Sequence, residues 1–223
     1  MRAGIIIAWL LAWNVEAASL QEVLSWMDRA ATNFRSVQAR VEKVTYTAVI
    51  DDRSAESGEM WLLKTGSRSI SVKIEFEAPD RRVITFQDGK AEIYYPKIQT
   101  VHVYDLGKEQ RLVEQFLLLG FGTAGRELVR QYQVVVRGNE RIDGQPTERL
   151  ELVPRDRRMR ERLVKVELWI VAEQGYPVQQ KFYWPSGDTT TVTYRAIRLN
   201  PPLQPSQLAL SLPPNVKREY PQR

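Results

Sequence analysis

Histidine occurs once in this 223-residue chain, at His102, and cysteine not at all. A cysteine nucleophile, a disulfide and a thiolate metal site are therefore excluded. One histidine by itself completes neither a histidine-based metal set nor a catalytic triad. Alternation puts His102 beside Thr100 and Tyr104 on one face of a strand, a setting where histidine usually forms hydrogen bonds. The neighbouring carboxylates Asp51 and Asp52 fall in a polar stretch of turn composition. Neither a Gly-x-Ser-x-Gly elbow nor a Walker-type phosphate loop is present. A hydrolase built from two carboxylates on distant segments stays open at this level. The densest basic run, Arg155 to Arg162, is interrupted by Asp156 and Glu161. It reads as a solvated hairpin loop rather than a nucleic-acid surface.

The remaining chemistry is apolar. Trp61, Phe76, Phe86, Tyr95, Trp169, Phe182 and Trp184 all fall in strand-like segments. Such residues fill an ordinary core or line a cavity. Which of the two they do depends on the elements that hold them.

Those elements are mostly strands. Ile70, Val72, Ile74 and Phe76 alternate with Ser69, Ser71, Lys73 and Glu75, the two-residue period of a strand with one dry face. This strand belongs to a meander over residues 58–104, in which Asp88-Gly89 marks a tight hairpin. Upstream, Ser19-Leu-Gln-Glu22 is a capping box opening a helix, with Leu20, Val23, Leu24, Met27, Ala31 and Phe34 on one stripe. A β pattern runs from Val37 to Ile50, followed by a polar turn from Asp51 to Gly58. Residues 108–120 read as a helix, with a second short one over 125–130. Strands return at 132–136, 149–153, 163–171, 178–184 and 189–199, with a turn over 139–146. A last apolar run, 208–212, lies in a proline-containing tail. Ten or eleven strands joined by short turns, with no linker or repeat, predict a single mainly β (α+β) domain. It is a curled antiparallel sheet forming an incomplete barrel, and the helices are the only elements able to cover its concave side.

Compartment follows from the N-terminus. Arg2, the apolar stretch from Gly4 to Trp13 and the small residues Val15 and Ala17 match a secretory signal peptide over residues 1–17. No later run has the length of a membrane span. Net charge is +5, with 32 basic and 27 acidic residues. Residues 18–223 are expected to form one exported, non-lipidated domain, periplasmic in a two-membrane bacterium.

The order of these elements resembles the LolA family of periplasmic lipoprotein carriers. The resemblance rests on residues 33–39 at the helix end, Gly58 to Lys64, Ala78-Pro79-Asp80, Asp88-Gly89-Lys90, residues 93–101 and residues 212–216. It implies a half-open β-barrel with helices as a lid over a hydrophobic cavity. It also implies carriage of acylated lipoproteins from an inner-membrane ABC transporter (LolCDE-like) to an outer-membrane receptor (LolB-like). The expectation is then a non-enzymatic, cofactor-free monomer.

The expected cavity wall is Trp61, Ile74, Phe76, Phe86, Ile93, Tyr95 and Trp169. The expected lid is Leu112, Phe116, Leu117, Leu119 and Phe121. The family's carriers often have arginine directly after the lysine that ends the strand here closed by Lys64. This chain has Thr65 there, which leaves Arg68 as the candidate latch. Two other classes remain open: a sensor or interaction module of the same fold, and an envelope enzyme acting on a hydrophobic or sugar substrate.

Overall fold

A computed structural model describes residues 17–66 and 69–221. The predicted leader up to residue 16 and the candidate latch Arg68 lie outside the described residues.

The chain opens with α1 (Leu20–Asn33), whose capping box is formed: the Ser19 side chain accepts from the Glu22 N–H, and Glu22 accepts from the Ser19 N–H. A first meander follows: β1 (Ser36–Thr47), β2 (Asp52–Lys64), β3 (Ile70–Ala78), β4 (Arg82–Gln87), β5 (Lys90–Tyr95) and β6 (Thr100–Asp105). Next come α2 (Gln110–Leu118) and α3 (Gly125–Gln131). A second meander contains β7 (Tyr132–Ile142), β8 (Gln145–Pro154), the single turn α4 (Arg157–Arg160), β9 (Lys165–Val171), β10 (Pro177–Tyr183) and β11 (Thr189–Leu199). The tail ends in β12 (Lys217–Glu219).

All twelve strands form one sheet in the order β12-β6-β5-β4-β3-β2-β1-β11-β10-β9-β8-β7. The two meanders join where β1 pairs with β11. The pairing is antiparallel except for β12 on β6. The sheet curls without closing, so the fold is a half-open barrel. Bulges in β11 at Ala196–Ile197, opposite the Gln38 to Arg40 stretch of β1, and in β3 at Glu77, opposite Ser57/Gly58 of β2, aid the bend. At Gly58 the strands approach so closely that a Cβ would fall 2.0 Å from the Glu75 carbonyl oxygen.

Topology also places the helices. β6 lies next to one edge of the sheet and β7 is the other edge. The segment between them must cross the mouth of the curl, and it carries α2 and α3.

Three expectations need correction. Residues 51–58 are not a turn: β2 begins at Asp52, and Asp52 to Ser57 pair with Thr47 back to Glu42. This end of the hairpin is exposed, so its strands need no alternating apolar face. Likewise Asn139 to Ile142 and Gln145 to Pro146 continue β7 and β8, leaving only Asp143-Gly144 to turn. The twelfth strand, the three-residue β12, is too short and polar for periodicity to register.

The core under the helices has two parts. One gathers Val23 and Met27 of α1 with Leu128, Tyr132, Leu150, Leu152, Val166, Leu168 and Ile170. The other gathers Val37, Val41, Met60, Leu62, Val72, Phe76, Phe86, Phe121 and Tyr194, with Val113, Leu117 and Leu118 packed against it. Two smaller clusters lie on the opposite face. In one, Leu210, Leu212 and Val216 of the tail cover Tyr94, Val101 and Val103. The other contains Trp169, Val171 and Val178. No helix among the described residues is long and apolar enough to cross a membrane.

Candidate lipid-binding site

Register decides which side chains face the helices. Val72, Ile74 and Phe76 of β3 stand opposite Leu62, Met60 and Gly58 of β2, and opposite Phe86, Ile84 and Arg82 of β4. Ile84 in turn pairs with Ile93, and Ile93 with His102. Ile74, Phe76, Phe86, Ile93 and Tyr95 therefore share the concave face. Trp61 and Trp169 do not, and both are corrections to the expected wall. Trp61 pairs with Lys73, whose ammonium lies 5.7 Å from the centre of the indole ring on the opposite face. Trp169 has the parity opposite to Leu168 and Ile170 and packs with Val171 and Val178.

On the helix side, Phe116 and Leu117 are half-buried. The Phe116 ring meets Phe182 edge-on at 6.3 Å, and Leu117 packs on the core cluster that contains Met60 and Leu62. Leu119 and Phe121 come after α2 has ended and are almost wholly buried. Phe121 stands perpendicular to Tyr194, with ring centres 5.0 Å apart. Leu112 is half-buried. Val113, apolar in the helical pattern but left out of the expected lid, and Leu118, which the pattern missed, pack on the same core.

A polar tie holds the C-terminal end of α2. Gln180, 3% exposed, donates through Nε2 to the Leu119 carbonyl at 2.5 Å and accepts from the Tyr194 hydroxyl at 3.1 Å. Burial pushes the Tyr194 hydroxyl far above its ordinary pKa, which keeps it a donor. Gly120 follows with φ +82°, and a Cβ there would press to 2.7 Å from the Pro177 ring. The backbone thus turns against the sheet where only glycine fits. The other end is held more lightly. Arg162 bridges to Glu109 at 2.9 Å, with both side chains largely exposed. Gly89 of the Asp88-Gly89 turn sits against the Gln110 side chain.

Toward the β1–β2 hairpin the concave face becomes charged. Arg82 lies 4.5 Å over the Phe76 ring and bonds Glu56, which also meets Lys43 at 3.0 Å. The Arg82 hydrogen bond, helped by Lys43 and opposed by burial, holds the Glu56 carboxyl below its usual range. His102 belongs to neither network: its Nε2 lies 3.2 Å from Glu219 on β12, and its ring meets Tyr95 edge-on at 5.0 Å.

Two hollows bear on the site. A small cavity of about 110 Å³ lies beside Phe34, Phe121, Tyr176 and Leu199, at the tied end of the helix crossing. That is well below the roughly 300–1,000 Å³ of a typical ligand pocket. A groove of about 620 Å³ is lined by Arg40, Glu42, Glu59, Glu77 and Arg195 on the convex side. Its charged lining does not suit an acyl chain. Under the helices, Leu117, Leu118, Leu119 and Phe121 occupy the apolar space themselves.

No protein-family model and no curated protein matches this chain. Solved structures do. An uncharacterized conserved protein from Thermus thermophilus matches over 91% of this chain and 99% of its own, at 12% identity and a TM-score of 0.54. MucB matches over 86% of this chain at 17% identity and a TM-score of 0.52. The chain spans only 62% of MucB's length. A LolA superfamily protein from Nitrosomonas europaea matches over 87% of this chain and 99% of its own, at 18% identity and a TM-score of 0.39. At these identities the likeness is one of fold alone, shared with the Thermus thermophilus protein and with MucB.

Proposed function

We propose that this protein is a periplasmic carrier, not an enzyme, that shelters the acyl chains of lipoproteins or other lipids between its curled sheet and α2. One observation carries the reading: a half-buried amphipathic helix lies across an apolar concave face and fills it with its own side chains. Each methylene moved out of water contributes about 0.8 kcal/mol, so a sixteen-carbon chain has roughly 12 kcal/mol at stake before ordering costs. A cargo displaces Leu117, Leu118 and Phe116 and takes over their contacts, so little apolar surface is left bare in either state. The charged rim of Lys43, Glu56 and Arg82 then meets the polar end of the cargo. Delivery from an ABC transporter to an outer-membrane receptor is the exchange such a carrier serves.

Protein extracted from the periplasm and analysed by mass spectrometry should carry lipid or lipoprotein. Phe116→Asp should reduce that load at least several-fold. Ligand-free protein that takes up no fluorescent acyl probe would sink the reading.

The likeness to MucB supports a second reading, a module that binds a protein partner. MucB has been solved in complex with MucA(peri). A co-purifying protein whose binding ignores added lipid would favour it.

A further inference from the structure

Glu148 has no part in the proposed lipid site, yet among the described residues it is the buried carboxylate left with an unpartnered oxygen. It stands on β8 opposite Ile170, on the helix-covered face, and is only 5% exposed. Its Oε2 is buried without a hydrogen-bond partner. An unpaired carboxylate oxygen in such a place costs free energy that a protein normally avoids. Ala18, immediately before the α1 cap, packs against the same core cluster as Ile170. Its backbone N–H faces the carboxylate but leaves Oε2 unsatisfied. Burial pushes the Glu148 carboxyl up, Ala18 partly offsets this, and the Glu22 carboxylate adds to it. Glu22 is itself exposed and bonded to Ser19. Ala17 is exposed, whereas Ala18 is half-buried, so the bond joining them lies where the chain enters the fold.

We propose that Glu148 is a built receptor for the α-ammonium group of Ala18, created when a signal peptidase cuts after Ala17. Water adds across the Ala17–Ala18 amide and the C–N bond breaks. The carboxylate leaves with the leader, and the amine, protonated, remains on Ala18. One N–H facing Glu148 becomes three, enough to reach both of its oxygens. The new positive charge sits at the N-terminus of α1, whose dipole alone already favours the carboxylate. Processing thus converts a lone buried charge into a pair, and the cut is recorded in the stability of the fold. This inference does not depend on what the protein carries.

The test exports the full chain from a bacterial host and compares it with Glu148→Gln. The mass of the exported protein should place its first residue at Ala18. Its α-amino group should titrate a unit or more above the usual ~7.7–8.0, which slows its acetylation at neutral pH about tenfold, and Glu148→Gln should restore ordinary values. The melting temperature should fall in Glu148→Gln. A first residue other than Ala18, or an α-amine with ordinary titration in the wild type, overturns the proposal. So does a higher melting temperature in Glu148→Gln, because removing a lone buried carboxylate would raise it. If Glu148→Gln does not fold, the wild-type titration decides alone, and Glu148→Asp should show an intermediate shift.

Discussion

The two meanders share one sheet but are covered differently. Under α1 and α3 the middle of the second meander is sealed: six of the seven β9 residues are buried, and Val166, Leu168 and Ile170 are inaccessible. Under α2 the β4–β5 part of the first meander is only screened: β4 and β5 are mostly half-buried, and so is every residue of α2 except the exposed Arg111. Core residues that touch neighbours on all sides resist exchange, whereas half-covered contacts reopen at little cost. The difference assigns stability to one half of the sheet and adaptability to the other.

Substitutions can break this contrast. Leu168→Ala should cost about 2–5 kcal/mol of unfolding free energy, as buried Leu→Ala changes do, whereas Leu117→Ala should cost less than half of that. Chemical denaturation measures both, and equal losses would erase the distinction between the halves. Gln180→Leu should come next. It strips the Leu119 carbonyl and Tyr194 hydroxyl of a buried partner, at about 1–3 kcal/mol. Amide exchange should quicken in residues 110–122 but not in α1, and binding of an environment-sensitive acyl dye should rise. Uniform exchange would mean that Gln180 does not tie the helix. Arg162→Ala removes only an exposed ion pair, for about 0–1 kcal/mol. It should leave global stability intact and speed exchange at the start of α2.

The smallest effect concerns acid. Partners hold Glu56 and Glu151 below the usual carboxylate range: Arg82 then Lys43 for Glu56, and Arg137 then Lys165 for Glu151. A carboxyl lowered by folding stabilises above its unfolded value, about 4.3, and that contribution is lost as pH falls through the lower folded value. Glu56→Gln and Glu151→Gln should each flatten the fall in stability below about pH 4. Glu56→Gln should also loosen the first meander, and Glu151→Gln the second. A slope unchanged in both variants would remove these pairs from the account.

Much of the first meander was legible in the sequence, because Ile70 to Phe76 alternate strictly and their register then assigns Ile84, Phe86 and Ile93 to the same face. Trp61 misled because Met60, Trp61, Leu62 and Leu63 are apolar in succession, so only pairing with β3 reveals which of them points inward. Trp169 misled for another reason: Val166, Leu168 and Ile170 show the period of the covered face, but β9 is buried on both faces, so the large apolar ring at 169 sits on the other one. Gln180 was invisible, since a polar residue in a strand ordinarily marks the wet side. What made it a tie is the Leu119 carbonyl, 61 positions earlier in the chain.

The tail strand has one more consequence. β6 carries Val101 and Val103 and, without a neighbour beyond it, would offer a row of unpaired backbone groups to any passing strand. β12 occupies that row with Lys217, Arg218 and Glu219, and Arg218 is further held by Glu92 at 2.6 Å. Three residues, two of them basic, are a poor template for further pairing. An open sheet is thereby kept from zipping onto its own copies, and a chain cut before Lys217 would gain a sticky edge and associate more readily.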